Sequence, residues 1–276
     1  VTGDWSSDVC SSDLLIPDPG YPTYTSVTKL VEANPVYYHL SEENNWLPDL
    51  EALAQKDLSR VKLMWVNYPH MPTGASATDA LFENLVEFAK EHQILVVNDN
   101  PYSFILNEQP KSILQARGAK EVVLELNSLS KSFNMAGWRV GMLCGNEQNL
   151  NTVLKVKSNM DSGMFYPIQA GAAAALRLNG NWFGEQNEIY QKRKQGILKL
   201  AEALDCKSAP KQAGMFVWCK LPAGTTAEGF VDFLLEKYSI FAAPGFIFGN
   251  NGEGYVRFSL CASEEEIHRA IKRVTG

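Results

Sequence analysis

Short apolar runs and longer amphipathic runs alternate along most of the chain. Residues 61–66 (V-K-L-M-W-V) predict a strand, and residues 78–91 behind it carry the spacing of a helix. Residues 94–97 (I-L-V-V) are wholly apolar, as expected of a strand covered by helices on both faces. Residues 122–126 and 140–143 predict two further strands. Alternation of this kind marks an α/β domain on a largely parallel sheet. Helices are predicted over 150–159, 168–178 and 182–204; the last spaces Ile189, Ile197, Leu198, Leu200, Ala201 and Leu204 between charged residues. A strand at 215–220, a helix at 227–237, a strand at 255–260 and a helix at 264–274 then form a compact α+β unit. Residues 1–14 fit neither pattern: they are Ser/Asp-rich, repeat S-S-D and lack periodicity, so they read as a non-native or disordered segment. The expected organisation is that segment, a large domain over 15–185 and a small C-terminal domain over 186–276, with the long helix bridging the two.

Composition narrows the function. At 276 residues, 45% apolar and 20% charged, the chain is long enough and apolar enough for a packed core. A net charge of −6 without any basic run argues against nucleic acid as a partner. No apolar stretch approaches the roughly eighteen residues of a membrane span, and the start lacks the basic and apolar regions of a secretory signal. The five cysteines, Cys10, Cys144, Cys206, Cys219 and Cys261, form no C-x-x-C pair and read as reduced thiols of a cytoplasmic protein. His39, His70, His92 and His268 lie far apart, so no metal site is expected.

In open α/β sheets ligands bind at the carboxyl ends of the strands. Here the first predicted strand runs into N-Y-P-H-M-P-T-G, the second into N-D-N-P-Y with Asp99 and Tyr102, and the third into S-L-S-K-S-F-N-M-A-G-W-R-V-G with Ser128, Ser130, Lys131 and Arg139. Singly, each has a plain reading: Asp99 as a turn cap, Lys131 as a solvated lysine, Arg139 as half of a surface ion pair. Together they place a carboxylate, a phenol, hydroxyls, an amine and a guanidinium at one sheet edge. A lysine there can condense with a carbonyl, an arginine with hydroxyls suits a phosphate, and a carboxylate in a crevice can hold a protonated pyridine nitrogen. Pyridoxal phosphate uses all three.

From Leu15 onward the chain resembles class I/II aminotransferases of the pyridoxal-phosphate fold type I, most of all the bacterial aspartate, alanine and diaminopimelate group. The resemblance rests above all on S-L-S-K-S-F-N-M-A-G-W-R-V-G, with its serine three before the lysine and its arginine eight after it. It implies an α/β large domain with a mainly parallel sheet and a smaller α+β C-terminal domain. It also implies that Lys131 joins the cofactor aldehyde and shuttles a proton, that Asp99 pairs with the pyridinium nitrogen, and that Tyr102 donates to the ring's phenolic oxygen. Ser128, Arg139 and Ser130 are implied at the phosphate. P-D-P-G-Y-P-T-Y resembles the segment whose aromatic residue, here Tyr21, lies over the ring; G-Y-V-R-F-S-L resembles the strand whose arginine, here Arg257, grips the substrate carboxylate. Taken alone, Tyr21 reads as a turn aromatic and Arg257 as a strand-edge ion pair. The implied activity moves an amino group between an L-amino acid and a 2-oxo acid in a homodimer. A β-lyase, decarboxylase or synthase on the same cofactor shares Lys131, Asp99 and Arg139, and a non-catalytic remnant of the fold is a third reading.

Two departures stand out. Where the family reads N-P-T-G this chain has Met71-Pro72-Thr73-Gly74, replacing a donor to the cofactor's phenolic oxygen by a thioether. The family's N-terminal region, with its phosphate loop, has no counterpart before Leu15. The expectation is therefore an N-terminally truncated enzyme with weak cofactor affinity and little turnover. A second arginine would mark a dicarboxylic substrate; Arg117 is available, but nothing in the sequence brings it to the pocket.

Overall fold

The computed structural model describes residues 12–178 and 181–276. Strands β1 (Asp13–Asp18), β2 (Asn34–His39), β3 (Val61–Val66), β4 (Leu95–Asp99), β5 (Val123–Ser128) and β6 (Gly141–Cys144) form one sheet in the order β2-β1-β3-β4-β5-β6. All its pairs are parallel except β5 with β6. Helices α1 (Pro22–Leu30), α2 (Leu50–Ala54), α3 (Asp79–His92) and α4 (Ala119–Val122) connect the parallel strands. The return from β5 to β6 holds only the short helix α5 (Leu129–Ser132) and a 3₁₀ turn, so the last strand comes back antiparallel.

Beyond β6 come α6 (Glu147–Met160), α7 (Tyr166–Ala175) and α8 (Asn181–Ala203). A second, antiparallel sheet follows, made of β7 (Lys207–Ser208), β8 (Phe216–Lys220), β9 (Ala243–Pro244) and β10 (Tyr255–Ser259) in the order β7-β8-β10-β9. Helices α9 (Ala227–Tyr238) and α10 (Glu264–Thr275) complete this half. A capping box between Ser263 and Glu266 starts α10, satisfying donors that the first turn leaves free.

The N-terminal expectation needs correction at its edge. Residues 1–11 of that segment lie outside the described residues, but Asp13 and Leu14 belong to β1, paired with Asn34 and Pro35. The Asp13 carboxylate is held by Asn34 Nδ2 at 3.2 Å and by Arg60 at 3.6 Å, so its charge has partners in the fold.

One hydrophobic cluster runs through both halves, from Met64, Val66 and Val96 under the first sheet to Val217, Leu234, Val256 and Leu260 around the second. Trp46 joins them, its ring edge-on to Trp218 at 6.3 Å and to Tyr255 at 5.2 Å. Main-chain bonds add to this seam: Ala213 N donates to Gly74 O and Gly214 N to Ile105 O, each at 2.8 Å. The buried Lys194 of α8 reaches the Gln212 carbonyl at 2.6 Å. At the far end Asn251 N donates to Asp18 Oδ1 at 3.0 Å, and Gly20 N to Phe248 O at 2.7 Å. The arrangement brings β10 of the second sheet up to the carboxyl edge of the first.

Candidate active site

Strands β3, β4 and β5 end side by side, so Asn67, Asp99 and Ser128 share one edge. Asn67 closes the corner: its Oδ1 accepts from Met71 N at 2.8 Å, and its amide donates to the Asp99 carbonyl. Asn98 accepts from Tyr68 N and donates to Glu125 Oε2, its register neighbour on β5, at 3.0 Å. The buried Glu125 also takes Ser112 Oγ at 2.8 Å and Ile113 N at 3.0 Å.

Asp99 presents a half-buried carboxyl group whose pKa is raised by burial, an effect only partly offset by a hydrogen bond from Tyr24, Oη to Oδ2 at 2.8 Å. Its Oδ1 has no hydrogen bond among the described residues. Tyr102, three residues on, is buried with its ring edge-on to Phe216 at 6.0 Å. Burial holds its phenol protonated well above the ordinary range, against the lowering pull of the Arg257 charge. The Tyr102 hydroxyl, too, makes no hydrogen bond among the described residues.

Ser128 caps α5 by accepting from Ser130 N at 3.1 Å, which puts Lys131 in that short helix beyond the end of β5. Ser132 Oγ donates to the Pro101 carbonyl at 3.3 Å, fastening the lysine turn to the segment between Asp99 and Tyr102. The close approach of β6 to β5 requires glycine at 141, where a Cβ would stand 2.7 Å from Asn127 O. Arg139, in the left-handed region at φ 52°, is exposed and donates to Ala136 O at 3.0 Å. Its side chain makes no hydrogen bond to Ser128 or Ser130 among the described residues.

Arg257 arrives from β10. Its guanidinium lies 3.9 Å from the centre of the Phe216 ring and 4.6 Å from that of Phe248, and Nη1 donates to Met71 Sδ at 3.2 Å. No carboxylate accompanies it among the described residues, and its Nε is buried without a partner. The substituted position 71 thus has a place of its own: the thioether lies against the arginine. Beside it His70 is buried, which pushes its pKa down to about 3, and Nδ1 meets Thr73 Oγ1 at 2.8 Å; this is a neutral histidine of the loop. Tyr21, 43% exposed, stands edge-on to Tyr24 with ring centroids 5.5 Å apart. Tyr24, Glu125 and Asn98 escaped the sequence reading. The signal for the last two was a polar residue inside an otherwise apolar strand.

A carboxylate with one oxygen open, an unengaged phenol, a lysine on a fastened turn and an arginine lacking an anion suit pyridoxal phosphate and an amino-acid carboxylate. The family comparisons agree with this chemistry. Residues 10–274 match the model of the family described as aminotransferase class I and II. The LL-diaminopimelate aminotransferase of Dehalococcoides mccartyi strain 195 is 39% identical over 264 residues, 95% of this chain and 68% of that protein. LL-diaminopimelate aminotransferase 2 of Trichormus variabilis is 41% identical over 262 residues, 94% of this chain and 67% of that one. The chain thus spans about two thirds of the length of these relatives. Among solved structures, apo-BacF from Bacillus subtilis superposes with a TM-score of 0.91 at 36% identity, covering 96% of this chain and 70% of that one. An aminotransferase from Staphylococcus aureus gives 0.89 at 32%, covering 97% and 72%.

The chain belongs to the class I and II aminotransferases. Its fold is that of pyridoxal-phosphate enzymes of fold type I, its cofactor is pyridoxal phosphate, and its reaction class is amino-group transfer.

Proposed function

We propose that the carboxyl edge of β3, β4 and β5 is the transamination site, with LL-diaminopimelate as the amino donor and a 2-oxo acid as acceptor. The names of the two relatives at 39% and 41% identity support that donor. The observation that carries the site is Asp99: a carboxyl group at a strand end, one oxygen held by Tyr24 and the other open, beside a lysine turn tied to its own loop.

Each residue has its part. Asp99 would hold the proton on the ring nitrogen of the bound cofactor, and Tyr102 would donate to its ring oxygen. Tyr21 would lie against the bound cofactor's ring, and Ser128, Ser130 and Arg139, the last turned from its bond with the Ala136 carbonyl, would hold the phosphate. When bound, pyridoxal phosphate supplies the electron sink that stabilises negative charge at the substrate Cα. Arg257 binds the α-carboxylate through its planar fork, which fixes the orientation of the Cα–H bond. Lys131 Nζ takes that proton from Cα as general base. Phe216 and Phe248 keep water from the guanidinium, which strengthens its grip on an anion. Borohydride treatment after incubation with pyridoxal phosphate should label Lys131, and the labelled peptide identifies it. Glutamate formation from LL-diaminopimelate and 2-oxoglutarate tests the donor, and labelling of any other lysine would refute the site.

The proposed assembly is a homodimer. No side chain of α6 or α7 is buried, and Val153, Leu154, Val156, Met160, Phe165 and Tyr166 are exposed, with Met160 at 81%. An apolar face of this extent favours association, which sedimentation equilibrium measures. We place the domain boundary within α8, near residue 185, and the protein in the cytoplasm. Cys144, Cys206, Cys219 and Cys261 are free thiols, in keeping with that compartment. No helix among the described residues is long and apolar enough to cross a membrane.

A further inference from the structure

Two aromatic residues stand one turn apart at the start of helix α1, Tyr21 at the N-cap position and Tyr24 in the first turn. Tyr21 caps the helix, and Tyr24 N donates to Tyr21 O at 3.0 Å. The Tyr24 ring lies flat on Trp65 of β3, centroids 4.8 Å apart and planes 9° from parallel, and the residue is 3% exposed. Its backbone is pinned as well, since Thr28 Oγ1 donates to Tyr24 O at 2.7 Å. The phenol therefore has one direction available, across β3 to the end of β4, where it meets Asp99 Oδ2 at 2.8 Å. No other described residue hydrogen-bonds that carboxylate.

We infer that Tyr24 is a positioning residue for the cofactor: it fixes the rotation of the Asp99 carboxylate so that Oδ1 faces the ring nitrogen. It also couples that carboxylate through a single helical turn to Tyr21, the residue proposed over the ring face. A carboxylate held by one donor at one oxygen cannot swing its second oxygen away from a partner, whereas an unheld one turns freely about χ2. Burial keeps the Tyr24 phenol protonated well above its ordinary range, so it stays a donor. The inference rests on the assignment of Asp99 as partner of the ring nitrogen.

Tyr24→Phe separates the hydrogen bond from the packing, because phenylalanine retains the stack on Trp65 and the edge contact with Tyr21. The experiment compares dissociation constants, followed to millimolar ligand, for pyridoxal phosphate and for its deaza analogue, in which a C–H replaces the ring nitrogen. Tyr24→Phe should weaken pyridoxal phosphate about tenfold, the scale of one hydrogen bond to a charged group. The analogue, having no ring proton for Asp99, should bind the variant as it binds the wild type. Equal losses for both ligands, or none for either, overturn the inference. Asp99→Asn is the control for the assignment beneath it: it should erase the preference for pyridoxal phosphate over the analogue. If the preference survives in Asp99→Asn, the role given to Asp99 fails; if Asp99→Asn erases it and Tyr24→Phe leaves it intact, only the inference about Tyr24 fails. In the ligand-free chain, difference infrared spectra should show a carboxylate stretch altered by Tyr24→Phe and unaltered when the same change is made in Asp99→Asn. Identical spectra of wild type and Tyr24→Phe would also overturn it.

Discussion

Glu125 should prove the most damaging carboxylate to remove outside the site itself. It is buried and accepts three hydrogen bonds, from Asn98 Nδ2 at 3.0 Å, Ser112 Oγ at 2.8 Å and Ile113 N at 3.0 Å. Glu125→Ala leaves two buried donors, on Asn98 and Ile113, and the half-buried Ser112 hydroxyl without their acceptor. A hydrogen bond to a charged group is worth about 1.5–3 kcal/mol, so at the low end three of them sum to about 4.5 kcal/mol. Against a total stability of about 5–15 kcal/mol that is a large fraction. For a chain of this size it corresponds to a fall of about 10 °C in Tm. Glu125→Gln retains one carbonyl oxygen, which can serve two of the donors, and turns an NH₂ group toward the third; its cost should be about half. The damage should also reach the site, because Asn98 precedes Asp99 and orders Tyr68 N at 3.2 Å. Urea titrations of both variants measure the cost, and the affinity for pyridoxal phosphate reads the reach. An alanine variant within about 1 kcal/mol of wild type, or a glutamine variant worse than alanine, would refute the account of Glu125 as the shared acceptor.

Further outcomes follow from the same geometry. Burial raises the Asp99 pKa, so ionising this carboxyl costs folding free energy as pH rises above the ordinary carboxylate pKa of about 4. Asp99→Asn should therefore raise Tm of the ligand-free chain at pH 7, with the difference shrinking toward pH 4, while cofactor affinity collapses; an unchanged or lower Tm at pH 7 contradicts the burial argument. Arg257→Lys loses the fork that lies between Phe216 and Phe248, so KM for the amino acid should rise about tenfold or more with a smaller change in kcat, as steady-state kinetics would show. Met71→Asn restores a donor near the ring oxygen and removes the sulfur that accepts from Arg257. The pH at which the visible absorbance of the loaded protein changes should then fall, since the added donor favours the deprotonated form, and superimposable titrations would dismiss the effect.

The elements that the sequence foretold are those with a sustained period. Residues 61–66 form β3 as predicted, and the amphipathic runs at 78–91 and 182–204 became α3 and α8 within a residue or so at each end. The edge strand β2 escaped because N-P-V-Y-Y-H is half exposed and shows neither an alternating nor a wholly apolar pattern. Strands β7 and β9 are two residues each, too short for any period to register. At the candidate site, Lys131, Asp99 and Tyr102 were legible because strand ends and a dense motif announce them. Tyr24 was not, since its meaning depends on α1 lying across β3. Glu125 was hidden for a similar reason: its pairing with Asn98 exists only in the register of β4 and β5. For Met71 the sequence drew attention to the missing amide, while the contact with Arg257 needed the second sheet in place.

The joins at Ala213 and Gly214 are made by peptide groups alone. An exchange at Ala213 or Ile105 that retains the peptide group leaves these bonds in place, whereas Gly74 and Gly214, at φ 73° and 87°, hold their glycines; variation near Phe216 can therefore change side chains while the strand carrying Arg257 keeps its address. This separates the part free to drift from the part that must stay put.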